Sequence, residues 1–233
     1  MSIADNVAEI RERIAAAARR SSRIPDDVVL MGVSKTFPAT AIREAHSAGI
    51  RVFGENRVQE FSEKVPQLTD LPDAEWRLIG HLQSNKSAKA VELFHAVDTV
   101  DSLRLAERLN AAAPNKILEV LIEINIGGED AKAGILPGSP ALDEILLAAP
   151  RLDHLKILGF MTIPPFAENP QDARLNFRKL RELRDSTAAR HHPAVELDVL
   201  SMGMSHDYEV AIEEGSTCVR VGTAMFGARE PKA

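Results

Sequence analysis

Short apolar runs recur along the chain, at residues 28–34, 51–54, 76–80, 95–100, 117–126, 155–161, 195–200 and 218–221. They are nearly continuous rather than alternating, which marks strands covered on both faces, as in a parallel sheet. Between them lie stretches with helical spacing and clear punctuation. Pro38 opens one helix and Gly49 closes it, and Asp101 and Ser102 precede another that Pro114 ends. Ser205 is placed to cap a helix that Gly215 ends. Further helices are expected at 57–68, from 84, at 139–149 and at 171–190. Ile3, Val7, Ile10 and Ile14 keep one helical face, predicting an extra helix within residues 1–24, ahead of the sheet. Eight strands alternating with eight helices predict an α/β chain folded as one (β/α)8 barrel over 28–229, within a single domain of 233 residues.

In such a barrel the ligand site lies at the C-terminal ends of the strands. Lys35 follows the first strand directly. A strand-end lysine is ordinarily a solvated rim residue whose stem covers apolar surface. Where it is desolvated, its amine becomes able to condense with an aldehyde. Two glycine-containing segments, 200–205 and 221–227, follow strands seven and eight. Glycine lets the backbone approach an anion, hydroxyls such as Ser201 and Thr223 donate hydrogen bonds, and an opening helix presents free N–H groups. An aldehyde-binding lysine and a phosphate cradle in one barrel suggest pyridoxal 5'-phosphate.

Composition narrows the alternatives. Apolar residues make up 45% and charged residues 27%, ordinary values for a soluble globular protein. A net charge of -6 gives no general attraction to nucleic acid or anionic lipid, so neither is an expected partner. The N-terminus, Met-Ser-Ile-Ala-Asp, lacks the charged and apolar regions of a signal peptide, and the one cysteine, Cys218, cannot form an internal disulfide. A cytoplasmic protein is expected. The run 178–184 reads as an exposed, charged helix face, and the adjacent His191 and His192 do not converge on one metal. No metal site is assigned.

Several motifs are specific: Val33-Ser-Lys-Thr36, Phe53-Gly-Glu-Asn56 with Val58-Gln-Glu60, Ile79-Gly-His-Leu-Gln-Ser-Asn-Lys86, Gly159-Phe-Met-Thr162, and Leu200-Ser-Met-Gly-Met-Ser205 running on to Phe226-Gly-Ala-Arg229. Together they resemble the pyridoxal phosphate homeostasis protein family over almost the whole chain. The resemblance implies a fold-type III barrel, like the N-terminal domain of alanine racemase, carrying pyridoxal 5'-phosphate as a Schiff base on Lys35. It also implies that Ser201, Met202, Gly222 and Thr223 lie in phosphate-binding segments and that Asn56 lines the cofactor site at the mouth of strand two. Arg220 matches the arginine that faces the pyridine nitrogen in this fold type. A guanidinium only donates hydrogen bonds, so that nitrogen stays unprotonated and the ring is a weak electron sink.

The chain departs from some family members at Phe37, where a second lysine often stands, and at Arg57, where tyrosine is common. Lys132 matches a family lysine in the loop after strand five, a candidate holder of a second cofactor molecule. His81, Asp98 and Asp101 are candidate rim residues whose partners the sequence does not establish.

Two functional classes follow, a cofactor carrier and a racemase or related enzyme. Racemisation needs an acid/base group on each face of the substrate, and in alanine racemases the second is a tyrosine from a C-terminal β-domain. Here the barrel uses the chain to about Gly227, and the only tyrosine, Tyr208, follows strand seven on the expected phosphate side. The expected function is buffering or delivering pyridoxal 5'-phosphate in vitamin B6 homeostasis, with apo enzymes as recipients and a monomer as the expected state. A phosphate-sugar-binding barrel, with Lys35 unmodified, is a third reading.

Overall fold

The structure, a computed structural model, describes residues 2–129 and 132–228. Its strands are β1 (Val29–Val33), β2 (Val52–Glu55), β3 (Glu75–Leu78), β4 (Ala96–Val100), β5 (Leu118–Glu123), β6 (Leu155–Met161), β7 (Val195–Met204) and β8 (Cys218–Val221). They pair in parallel in chain order, and β8 returns to β1 to close the barrel, Leu30 opposite Val219 and Gly32 opposite Val221. The helices are α1 (Ile3–Arg20), α2 (Ala39–Ser47), α3 (Val58–Lys64), α4 (Ser87–Leu93), α5 (Leu103–Ala112), α6 (Pro140–Ala148), α7 (Arg174–Ala188), α8 (Tyr208–Glu213) and α9 (Thr223–Phe226).

Strand alternation sorts the interior into two regions. On β5, Leu118, Val120 and Ile122 join the continuous core between barrel and helices. Successive side chains point to opposite faces, so Leu121 and Glu123 belong to the lumen. The lumen has a small apolar cluster of its own, Met31, Val33, Ile79 and Cys218. Much of the remainder is polar and buried, including Arg77, Asp98, Ser201 and Arg220. Arg77 is held by Asp98 at 3.0 Å and Glu119 at 3.1 Å. Burial opposes its charge, and the surrounding carboxylates more than offset that, raising its pKa.

The N-terminal helix expected ahead of the barrel is present in addition to the eight helices that follow the strands: among the described residues the four-residue α9 follows β8, and α1 packs against α8, α9 and α2. Its buried face is Val7, Ile10, Ile14, Ala17 and Ala18. Arg13 and Arg20 pair with Glu209 and Glu213 on α8 at 2.6 and 2.7 Å, which pins the helix there. The charge run in α7 is exposed at Arg178, Lys179 and Glu182, as expected, and is also tied down. Arg178 and Arg181, with Arg174 just before them, converge on Glu214 at 3.0–3.1 Å, and that carboxylate is only 5% exposed.

Strand β7 runs on to Met204, four residues beyond the expected end, with a register shift between Ser201 and Met204. Apolar content falls off after Leu200, but the backbone continues pairing. Gly203 makes this possible: its φ is +94°, and an added Cβ would lie 2.6 Å from the Ala211 Cβ and 2.9 Å from the Tyr208 Cα. Gly203→Ala is therefore expected to destabilise the fold by about 3 kcal/mol, from left-handed backbone strain plus overpacking against α8. The urea unfolding midpoint measures this.

Candidate functional site

Lys35 stands in a tight turn that several buried groups clamp. At the end of β1, the Ser34 N–H donates to the Gly54 carbonyl at 3.0 Å. The Ser34 hydroxyl donates to Glu55 Oε1 at 2.7 Å. Lys64, from the end of α3, donates to the same Glu55 oxygen at 2.7 Å and to the Ser34 carbonyl at 3.1 Å. Thr36 is held at φ +68°, a left-handed conformation costly for a β-branched residue, and its N–H donates to Glu60 Oε1 at 2.6 Å. Burial pushes the Glu55 carboxyl up, against the opposing pull of Lys64 and its hydrogen bonds. Phe37, where some family members carry a second lysine, stacks on Phe226 of α9 at 4.9 Å.

The turn opens into a cavity of about 270 Å³ at the C-terminal mouth of the barrel. Lys35, Asn56, Arg220, Gly222 and Thr223 all line it. Five of the seven residues expected from the sequence thus meet in one place, drawn from β1, β2 and β8. Val33, Ile79, Ile163, Phe166, Met204, Ser205 and His206 complete the wall. Gly80 lets two strand ends come together here, since an added Cβ would lie 2.2 Å from the Asn56 carbonyl oxygen.

Arg220 is buried, and two of its donors are engaged: Nη1 with the Ser201 hydroxyl and Nη2 with the Thr162 carbonyl, both at 2.7 Å. A guanidinium has five N–H donors, so others remain for a ligand in the cavity. Burial works against its charge, and Asp98, Asp207 and Glu123 oppose that effect among its neighbours. Ser201 is fully buried and serves as the acceptor that orients Arg220; it does not line the cavity. Met202 does not line the cavity either. Its side chain turns to the opposite face of β7 into the main core, and its carbonyl accepts from the Ser216 hydroxyl at 2.7 Å.

Ser205 does not cap α8. Its hydroxyl crosses to the turn after β8, accepting from the Gly222 N–H at 3.2 Å and the Ala224 N–H at 3.4 Å. Two backbone donors therefore converge on one oxygen. Asp207 instead takes the Met204 N–H at 2.6 Å, fixing the loop before α8. Tyr208 is not near this cradle. It is 1% exposed in the main core, its hydroxyl has no partner among the described residues, and Arg13 lies over its ring at 5.3 Å. Burial pushes its phenol up to about 12.

Among the other sequence candidates, Asp98 is the buried partner of Arg77 within the lumen. His81 Nδ1 lies 3.4 Å from Asp101 Oδ2. Lys132 pairs with Glu129 at 2.8 Å within the loop after β5. Among the described residues no group of three or more His, Cys, Asp or Glu could hold a metal, and no helix is long and apolar enough to cross a membrane.

The profile of the alanine racemase N-terminal domain matches residues 5–230. The pyridoxal phosphate homeostasis protein of Aquifex aeolicus is 45% identical, the match covering 99% of this chain and all of that one. The Escherichia coli protein of that name is also 45% identical, over 98% and 97% of the two chains. The chain belongs to the pyridoxal phosphate homeostasis protein family. A solved structure of PipY from Synechococcus elongatus with PLP bound matches at TM-score 0.84 and 39% identity, covering 97% of this chain and 100% of that one. An alanine racemase from Clostridium difficile, 16% identical at TM-score 0.67, shares the fold.

Two parts of the family member's site escaped the sequence reading. The Glu60–Lys64 spacing of four was visible as a helical pair. Nothing marked Glu55, however, as the buried carboxylate that Lys64 reaches. Glu123, at the lumen end of β5, was read only as part of a strand. Its Oε2 is buried with no hydrogen-bond partner among the described residues.

Lys64→Met would leave the Glu55 carboxylate buried and uncompensated, a change expected to cost about 3 kcal/mol or more. Adding Glu55→Gln should recover much of that loss, as chemical denaturation of the single and double variants will register. Burial, then the charge of Asp101, pushes the Glu123 carboxyl up from 4.5 to about 7, with Arg220 and His81 acting the other way. The folded state thus holds this proton more tightly than the unfolded chain. Its destabilising contribution is absent below pH 4.5, grows as pH rises and is complete above about 7. Glu123→Gln should therefore stabilise the protein above pH 7, by up to about 3 kcal/mol, and confer little below pH 4.5. Thermal unfolding across that range checks the sign.

Proposed function

We propose that this chain binds pyridoxal 5'-phosphate covalently through Lys35 and holds it for delivery to cofactor-free enzymes, without turnover of its own. The observation that carries the reading is the meeting of Lys35, Arg220 and the Gly222–Thr223 turn around one cavity. The residues present fit the group. The backbone N–H groups of Gly222 and Ala224 already converge on one hydroxyl oxygen, an arrangement suited to a phosphate oxygen, and Thr223 stands beside them. Arg220 offers donors to an unprotonated ring nitrogen. When bound, the cofactor supplies an aldehyde that exchanges between amines. The chain's own part is to present the Lys35 amine from a clamped turn, to hold the phosphate against the β8 turn, and to keep the ring nitrogen without a proton donor acid enough to charge it.

Absence of carbanion chemistry is supported by two features. Arg220, a poor acid, takes the place where a carboxylic acid would strengthen the electron sink. The lone tyrosine, Tyr208, is buried between α1 and the barrel, away from the cavity. The family name shared with the A. aeolicus and E. coli proteins, and the PLP in the PipY structure, support the same reading. Delivery to apo enzymes in the cytoplasm, by a monomer, completes the proposal.

Borohydride treatment of the loaded protein should fix the cofactor to the peptide containing Lys35, and Lys35→Ala should abolish that adduct. An adduct on Lys132 alone would overturn the assignment. Thr223→Val should weaken cofactor binding about tenfold, the value of one hydrogen bond to a charged group at about 1.5 kcal/mol. Equilibrium dialysis against the cofactor measures it.

A further inference from the structure

The cavity wall is uneven around the barrel. Its lining comes from the ends of β1 to β3, through Val33, Asn56 and Ile79, and from β6 to β8, through Ile163, Met204 and Arg220. Because the eight strands close in chain order, the remaining arc is β4 and β5. Those two ends carry Asp101 and Glu123. Glu123 is 7% exposed, its Oε2 has no hydrogen-bond partner among the described residues, and strand alternation turns it into the lumen. It pairs in register with Met161, and the next residue, Thr162, accepts from Arg220 Nη2 at 2.7 Å. Glu123 therefore stands one strand away from the segment whose carbonyl holds the Arg220 guanidinium. Beside it, Asp101 is 3.4 Å from His81.

A buried acceptor without a donor is rare in a folded chain and calls for a partner. A cationic donor arriving at the mouth would satisfy it, with Asp101 close by adding negative charge. We propose that Glu123, with Asp101 beside it, docks the primary ammonium group of the amine that displaces Lys35, and that the Glu123 carboxylate takes that ammonium's proton. The inference rests on the carrier reading and names its acceptor by chemistry: an alkylammonium, from a free amino acid or from a lysine side chain.

An ammonium has no lone pair, so it forms no bond to carbon until it loses a proton. Glu123 Oε2 receives that proton. The carbon–nitrogen bond to Lys35 is then exchanged for one to the incoming amine, and the freed Lys35 amine takes the proton from Glu123. Nothing is oxidised or reduced, and the proton count balances. Among the described residues the charged groups facing Glu123 are Asp101 and His81 from the β4 and β3 ends and Arg220 from β8; Glu129 and Lys132, in the loop that follows β5, pair with each other. Asp101 favours a cation here, and Arg220 keeps enough positive potential for the carboxyl to ionise near neutral pH.

The test uses the loaded full-length protein and follows both the borohydride-fixable cofactor and its absorbance after adding one of three amines at neutral pH. Alanine and Nα-acetyl-lysine arrive as ammonium ions and separate the two sources. Hydroxylamine arrives neutral and needs no base. Glu123→Gln should slow release by at least one of the two ammonium donors tenfold or more, while hydroxylamine releases cofactor at the parental rate. Asp101→Asn should raise the concentration of that donor needed for half-maximal release, with a smaller effect on the limiting rate. Equal slowing with all three amines would mean a merely structural role, and no slowing with either ammonium donor would remove Glu123 from the exchange; both overturn the inference. If the parent protein yields no Lys35 adduct, the carrier reading itself fails, which is a separate outcome.

Discussion

The site depends on one buried cation. Arg220 extends from β8 inside the barrel, where desolvation opposes its charge, and it is held by a hydroxyl on β7 and a carbonyl just past β6. That bracing ties together the three strand ends on one side of the cavity, and it spends two donors while leaving others free. A hydrophobic residue in its place would cap the lumen with no donors to present. A lysine would present a point charge without the planar fork that spans Ser201 and Thr162. The carboxylates of the lumen, Asp98 and Glu123 among them, are the counter-charges that make such a residue tolerable there.

Across the mouth, Lys35 is managed differently. Its own turn is locally unfavourable, with Thr36 in the left-handed region. The conformation persists because Glu55, Lys64 and Glu60 over-determine it through bonds to Ser34 and Thr36. Strain held in this way presents a side chain in one direction, which suits a nucleophile that must meet an aldehyde carbon. The two sides of the cavity are joined by the Phe37–Phe226 stack, linking the lysine turn to the short helix after β8.

The way the barrel ends matters to the same site. Among the described residues the chain after β8 forms the four-residue α9, and α1, the earliest helix, packs against it. The Asn6 side-chain amide donates to the Met225 carbonyl at 2.9 Å, so the N-terminal helix also fixes the segment that follows the Gly222–Thr223 turn. Tyr208 lies in that same packing, under Arg13. Its use as core is what removes it from the chemistry at the mouth.

The sequence by itself determined the barrel, because eight nearly continuous apolar runs have few other ways to be buried on both faces. It also placed Lys35 at a strand end on the ligand-bearing rim, whereas Arg220 was marked by the resemblance to the family. The tertiary structure decided the rest. Whether a residue near a strand end faces cavity or core depends on the register and bulges of β7, which sent Ser201 to Arg220 and Met202 into the core. The partners of Glu55 and the orphaned oxygen of Glu123 are properties of side chains brought together from distant segments, with no local pattern to announce them. The place of α1 was likewise set by packing, because a helical face records that it is buried but not against what.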